Sequence, residues 1–148
     1  MPTWKGRDFE DRFTGHDWVA VEIQLEDGHE VRVLWDRREV VAFLEVVQPN
    51  AKRHGFSGYV ECSSAIRKVE RFDLGIKDQV ALDTDRRVRL ILFKANSGKP
   101  PCEVLNDLCA GRGPIDIRYR EKLGELIDLT VPADSFVAAK NATAAMNY

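Results

Sequence analysis

The sequence predicts an α+β fold in a single domain spanning residues 1–148, with a mostly antiparallel sheet of about five to seven strands and two to four helices. Three observations support this class. Several segments alternate apolar and polar residues with the period of two that a half-buried strand requires. Glycine-containing turn signals such as Asp-Gly and Gly-Pro separate these segments. Other segments place apolar residues at the i, i+3, i+4 and i+7 spacing of an amphipathic helix.

The first third is predicted to contain an N-terminal arm followed by a ββα unit. Residues 1–17 mix aromatic and charged side chains without a clear period, so they are expected to be either an ordered arm packed across the domain or a frayed terminus. Apolar residues alternate over 19–25 and again over 31–35, and the intervening Asp27-Gly28 is a dipeptide preferred in hairpin turns. Residues 36–47 are predicted to be a helix, because a capping-box pattern precedes an apolar stripe with helical spacing.

The middle third alternates short predicted elements with turns. Residues 63–72 favour a short helix, with a strand as the open alternative, because Ile66 and Val69 would lie on opposite faces of a strand. The other predictions are a basic loop at 50–58, a strand at 59–62, a turn at 73–77, a strand at 79–82, a turn at 83–85, a central strand at 88–93 and a helix at 102–110.

The last third repeats the pattern of the first. Two alternating segments, at 115–119 and 127–131, flank Gly124, and a helix is predicted after Pro132. The units 19–47 and 115–142 align at an offset of 96 residues, although identities are few, so either a structural pseudo-repeat or two unrelated ββα units explains the match. Residues 141–148 are predicted to be a frayed tail.

Composition is typical of a soluble globular protein. Of the 148 residues, 31% are charged and 44% are hydrophobic, which does not favour disorder. The odd number of cysteines, three, argues against a secreted disulfide scaffold. The N-terminal segment lacks the apolar stretch of a signal peptide, and no apolar run approaches the length of a membrane span, so a cytoplasmic location without membrane association is expected.

No motif predicts a catalytic residue, a cofactor or a metal. The segment Asn96–Lys99 resembles a phosphate-binding loop only superficially, because Phe93 and Pro100 stand where the first glycine and the magnesium-binding hydroxyl residue are required. The histidines and cysteines lack metal-ligand spacings. His29 is expected to face solvent after its turn, and Cys102 and Cys109 are expected to lie on a core stripe.

One carboxylate group remains as a candidate for chemistry. Asp83 and Asp85 could serve general acid–base catalysis or bind a hard cation. Turns also favour aspartate, because its side chain bonds its own backbone, and the arginines that follow would neutralise both carboxylates. The turn interpretation is preferred.

Charge is distributed unevenly, and this is the main functional signal. Residues 1–50 carry a net charge of −5, residues 51–99 carry +5 and residues 100–148 carry −2. Either these charges pair with each other in the fold, or the middle third forms a basic surface. In the second case the predicted partner-binding residues are Arg53, Arg67, Lys68, Arg71, Arg86, Arg87 and Arg89.

The sequence favours a non-enzymatic protein-interaction module, acting as an accessory, regulatory or inhibitory factor, with self-association as one form of that function. Trp4 and Trp18 could contribute to an interface, whereas Trp35 is expected to be buried with Val31 and Val33. One alternative is a nucleic-acid-associated protein using the basic residues of 52–89, against which the acidic pI of about 5.9 argues. The other is a small enzyme with an unrecognised site.

Overall fold

The computed structural model describes residues 2–49, 55–75, 80–82, 86–122 and 124–143. Within them the chain forms ten strands and two short helices. The strands are β1 (Lys5–Glu10), β2 (Asp17–Gln24), β3 (Glu30–Asp36), β4 (Val41–Val47), β5 (Ser57–Ser63), β6 (Val69–Asp73), β7 (Val80–Leu82), β8 (Arg87–Lys94), β9 (Ile115–Arg120) and β10 (Leu126–Val131). The helices are α1 (Glu103–Cys109) and α2 (Phe136–Asn141), neither of which is long and apolar enough to cross a membrane.

The strands form two antiparallel sheets. The six-stranded sheet has the order β1-β2-β3-β4-β8-β7, and the four-stranded sheet has the order β10-β9-β5-β6. Every pairing between neighbours is antiparallel. The predicted antiparallel arrangement is therefore confirmed, but the fold is richer in strands than the predicted five to seven.

One hydrophobic core joins the two sheets. Alternate residues of each strand point inward, so that Trp35 and Leu90 of one sheet and Ile117 of the other belong to the same buried cluster. Helices α1 and α2 add Leu105 and Phe136, among others, to this cluster. Each sheet therefore has an inner face in the core, and neither of the two described helices covers an outer face.

The predicted helix at 36–47 is wrong. The side chain of Asp36 does accept hydrogen bonds from the amides of Arg38 and Glu39, as a helix cap would, but Val40 then takes a φ of 55° and the chain enters β4. Strand β4 lies between β3 and β8, and both of its faces are largely buried. A strand with two buried faces loses the period-two alternation, so its apolar residues matched the helical spacing by chance.

Two further predictions are corrected with it. Residues 63–72 are not a helix, because they form the end of β5, a tight turn and most of β6. The ββα pseudo-repeat also fails, since the first unit ends in a strand whereas the second ends in α2. The predicted helix at 102–110 and strand at 88–93 correspond to α1 and β8.

The N-terminal segment closes one side of the core. Residues 5–10 pair with β2 as strand β1. The Trp4 indole donates to the carbonyl of Pro132 at 2.7 Å and meets the Phe136 ring edge-on at 4.9 Å. Trp4 is thus part of the core and not an interface residue, and Trp35 is buried as predicted. Of the predicted tail, residues 144–148 lie outside the described part of the chain.

Candidate functional site on the outer face of the six-stranded sheet

The predicted basic residues fall into two separate groups. Arg87 and Arg89 lie on β8 in the six-stranded sheet, whereas Arg67, Lys68 and Arg71 lie on or beside β6 in the four-stranded sheet. Arg86 uses its guanidinium to donate to the carbonyl of Gln48 at 2.9 Å, which is a structural contact. Arg53, like the candidate carboxylates Asp83 and Asp85, lies outside the described residues.

A row of alternating charges crosses the outer face of the six-stranded sheet. The pairing registers place five side chains side by side on neighbouring strands. In order across the sheet they are Lys5, Glu22, Arg32, Glu45 and Arg89. Neighbouring strands are about 4.8 Å apart, so each charge lies beside opposite charges. We call this row the charge ladder.

The arginines of this face are engaged by glutamates. Arg32 Nη1 donates to Oε1 of Glu45 at 2.8 Å, and Arg89 Nη2 donates to Oε2 at 3.0 Å. Glu45 is only 1% exposed, and each of its two carboxylate oxygens accepts a hydrogen bond from a partly buried guanidinium group. Arg7 contacts Glu22 at 2.5 Å. The middle third thus supplies Arg89 to neutralise a carboxylate of the acidic first third.

An aromatic cluster lies beside the charge ladder on the same face. Phe9, Trp18 and Phe43 come from β1, β2 and β4, with ring centroids 6.3 Å apart between the first pair and 6.1 Å between the second. Because β2 and β4 are two strand spacings apart, the Trp18 and Phe43 rings must lean over β3 between them. The Arg89 guanidinium lies 5.4 Å from the Trp18 ring and 5.3 Å from the Phe43 ring, within cation–π range.

The aromatic cluster is partly open to solvent, and the hairpin that follows β1 carries a separate, exposed ring. Phe9, Trp18 and Phe43 are of intermediate burial. Phe13, in the hairpin that joins β1 and β2, is 100% exposed, although its amide is held by the Asp11 carboxylate at 2.9 Å. The sequence does not predict this surface, because it depends on strand register and because the helix expected at 36–47 would include Phe43.

The second basic group forms a protruding turn. We define the hairpin tip as residues 64–69, where β5 turns into β6. It exposes Ile66 and Val69 together with Arg67 and Lys68. Arg71 lies beyond it on β6, with its guanidinium 2.8 Å from the Asp73 carboxylate and 3.8 Å from the Tyr59 ring.

The outer face of the four-stranded sheet is polar and internally paired. Asp128, Arg118, Glu61 and Arg71 form a second alternating row across its four strands. Arg118 donates two hydrogen bonds to Asp128, at 2.6 and 3.0 Å, and these lower the pKa of that carboxyl. A shallow groove of about 450 Å³ lies beside this row, but Thr130 already donates to Asp116, one of its carboxylates, at 2.9 Å.

A buried polar network, unlike the outer faces, connects the sheets internally. His29 is buried, contrary to the expected solvent-facing position, and its Nε2 lies 2.7 Å from the hydroxyl of Tyr119. The Gln48 amide donates to the same hydroxyl at 3.3 Å and to the Gly55 carbonyl at 3.0 Å. Asp27 lies 2.9 Å from His29 Nδ1. Three of these four side chains are buried, so substrate could not reach the Tyr119 hydroxyl in this structure.

The cysteines do not have the features of activated thiols. Burial raises the pKa of Cys62, of Cys109 and of Cys102, the last to about 12. A reactive thiol would need the opposite shift, because the thiolate is the nucleophile. Within the described residues, no group of three His, Cys, Asp or Glu side chains is placed to hold a metal ion.

Comparison of the chain with protein-family models, with curated proteins and with solved structures finds no match.

Proposed function

We propose that this chain is a non-enzymatic protein-binding module that holds its partner on the outer face of the six-stranded sheet. The observation that carries the proposal is the cluster of Phe9, Trp18 and Phe43, with Arg89 over two of the rings. Aromatic residues and arginine dominate the energetic centres of protein interfaces. The charge ladder beside the cluster is polar and internally paired, and polar residues of this kind typically form the rim of an interface.

The state of the arginines favours a protein partner over nucleic acid. A nucleic-acid surface needs cations that can neutralise phosphates. On this face Arg7, Arg32 and Arg89 are already paired with glutamates, which would also repel a phosphate backbone. Aromatic rings stack on bases as well as on protein side chains, so the paired arginines are the feature that separates the two interpretations.

The net charge of the face favours a different protein over a second copy of the chain. The described side chains on this face include six cations and four anions, an excess of two positive charges on a chain of net charge −2. The cations are Lys5, Arg7, Arg32, Arg87, Arg89 and Lys94, and the anions are Glu22, Glu30, Asp36 and Glu45. An isologous dimer through this face would oppose two positive surfaces. The partner surface that fits is apolar at its centre and mildly acidic around it.

Site-specific photo-crosslinking tests the proposal. A benzophenone amino acid replaces Phe13 beside the aromatic cluster or, as the control, Leu126 on the four-stranded sheet, which is also exposed. We expect position 13, but not position 126, to crosslink one predominant protein in an extract of the source cells. The same set of weak adducts from both positions would reject the proposal.

Two companion measurements test the alternatives. Binding to oligothymidylate that weakens steeply with salt and is lost in Trp18→Ser would assign the face to nucleic acid instead. Light scattering after size exclusion would show a dimer that Phe13→Ser dissociates if the occupant is a second copy. We expect neither result.

A further inference from the structure

We infer that the hairpin tip, residues 64–69, is a second docking site, which binds an extended acidic segment of a partner protein carrying aliphatic side chains. This site lies on the other sheet and does not depend on the function proposed for the six-stranded sheet.

The tip exposes apolar surface that the fold does not use. Ile66 is 62% exposed and Val69 is 58% exposed, the highest values for large aliphatic side chains among the described residues. Both lie in the same turn of the chain, three positions apart, so that one extended segment could contact both. Exposed apolar side chains rimmed by polar residues are a common feature of interaction sites.

The two cations between them are available for a partner. Arg71, Arg87 and Arg89 all have carboxylates within ion-pair distance. Arg67 and Lys68, in contrast, are exposed and have no ion pair within the part of the chain that the structure describes. Arg86 donates to the Gln48 carbonyl. Among the predicted basic residues that the structure describes, Arg67 and Lys68 are therefore the ones whose charged groups remain available to an external anion.

The tip is held rigid from below. Asp107 of α1 is fully buried and accepts from the Ala65 amide at 2.8 Å, while the Arg112 guanidinium lies 3.1 Å from its other oxygen. The Ser64 hydroxyl oxygen accepts from the Lys68 amide at 3.1 Å. A preorganised loop loses little conformational entropy on binding.

The backbone of the tip is also strained at one of the two cations. Arg67 has a φ of 61°, in the left-handed region that glycine adopts at lower cost. Non-glycine residues with left-handed backbone angles occur preferentially at functional sites, where the function of the side chain offsets the cost of the strain. Here the side chain is an exposed cation beside exposed aliphatic residues.

The surroundings of the tip favour a slender acidic segment over an anionic membrane. The outer face of the adjoining sheet carries Glu61, Asp116 and Asp128 interspersed with Arg71 and Arg118, so it adds little net charge. A flat anionic membrane would meet this face together with the tip and gain only the two cations of the tip, whereas an extended peptide need touch only the tip. Membrane-binding basic clusters also contain roughly four to eight cations, and the tip has only Arg67 and Lys68.

Nuclear magnetic resonance tests this inference on the full chain. The ¹⁵N-labelled protein is titrated with the blocked peptide Glu-Leu-Asp-Leu-Glu, with Ser-for-Leu and Lys-for-acid versions as controls. We expect saturable amide shifts centred on the hairpin tip with the first peptide only. The double variant Arg67→Gly/Lys68→Ser should weaken binding roughly fivefold, the effect of two exposed charge contacts.

Two further variants serve as controls. Lys99→Ser removes another exposed cation and should leave peptide binding unchanged. Phe13→Ser should also leave it unchanged, so that failure of this inference and failure of the proposed function are distinguishable. Shifts centred away from the tip, equal binding by the double variant, or binding to phosphatidylglycerol vesicles but not to the peptide would each overturn the inference.

Discussion

The hydroxyl of Tyr119 lies 2.7 Å from Nε2 of His29, and this contact joins the four-stranded sheet to the hairpin between β2 and β3 of the other sheet. The Gln48 amide donates to the same hydroxyl at 3.3 Å. Since the three side chains are buried, the contact fixes one sheet against the other where apolar packing alone would permit sliding.

Tyr119→Phe is expected to destabilise the protein by about 1–3 kcal/mol, because it leaves the His29 and Gln48 groups buried without their shared partner. Urea unfolding measures the change. Tyr59→Phe, on the outer face of the four-stranded sheet, is the matched control and should have almost no effect. Equal effects of the two variants would show that the network adds nothing.

The protein is expected to lose stability in alkali. Burial raises the pKa of Tyr119 from 10.0 to about 12 and raises the thiol pKa of Cys102 from 9.0 to about 12. The folded state therefore keeps protons that the unfolded state releases, so the free energy of unfolding falls as pH rises from the ordinary values towards 12. Urea midpoints measured from about pH 8 to pH 11 test this. Tyr119→Phe should remove the part of the loss that begins near the ordinary tyrosine pKa; an unchanged slope would contradict that assignment.

Glu45→Ala is expected to cost about 1–3 kcal/mol, because it removes the buried carboxylate to which both Arg32 and Arg89 donate, although Arg32 keeps its pairs with two other glutamates. The control is Asp128→Ala, which breaks the exposed pair with Arg118 and should change stability little. If the two substitutions had the same small effect, the charge ladder would be no more than a solvated surface.

Gly6→Ala is expected to destabilise the protein by about 1–3 kcal/mol, since the new Cβ would overlap the Ala139 carbonyl oxygen at the end of α2. It would also lie 2.5 Å from Cγ2 of Thr143. Adding Thr143→Ser removes that methyl but not the backbone clash, so it should restore only part of the stability. Full recovery would show that α2 can shift away from β1.

Arg67→Gly is expected to be at least as stable as the parent chain, because glycine accepts the positive φ of the hairpin tip without the steric cost. The same substitution should weaken binding of the acidic peptide. Thermal unfolding measures the stability, and the nuclear magnetic resonance titration measures the affinity for the peptide. A clear loss of stability would mean that the Arg67 side chain serves the fold.

The strands that keep charged residues on their outer face show the period of two in the sequence, whereas β4 does not. In β2, β3, β9 and β10 outward residues such as Glu22, Arg32 and Arg118 alternate with apolar inward ones. In β4 the outward residues Val41, Phe43 and Val47 are apolar, so the alternation disappears. The candidate site combines side chains of five strands, and which of them lie side by side can be predicted only when the strand order and register are known.

The basic middle third shows the same limit. Its composition left two alternatives open, pairing within the fold or a basic surface, because composition cannot tell a paired arginine from an available one. Arg89 faces the buried Glu45, whereas Arg67 faces solvent, and both come from the same basic stretch of sequence.

The dissociation constant of the purified crosslinked partner tests the central claim most directly, when measured for the parent chain, Phe13→Ser and Leu126→Ser. Both substitutions replace exposed apolar side chains, so both variants should fold normally. Binding through the outer face of the six-stranded sheet predicts a dissociation constant about tenfold higher for Phe13→Ser, equivalent to about 1.4 kcal/mol, and no change for Leu126→Ser. Equal affinity in all three proteins, or a loss only in Leu126→Ser, would contradict it.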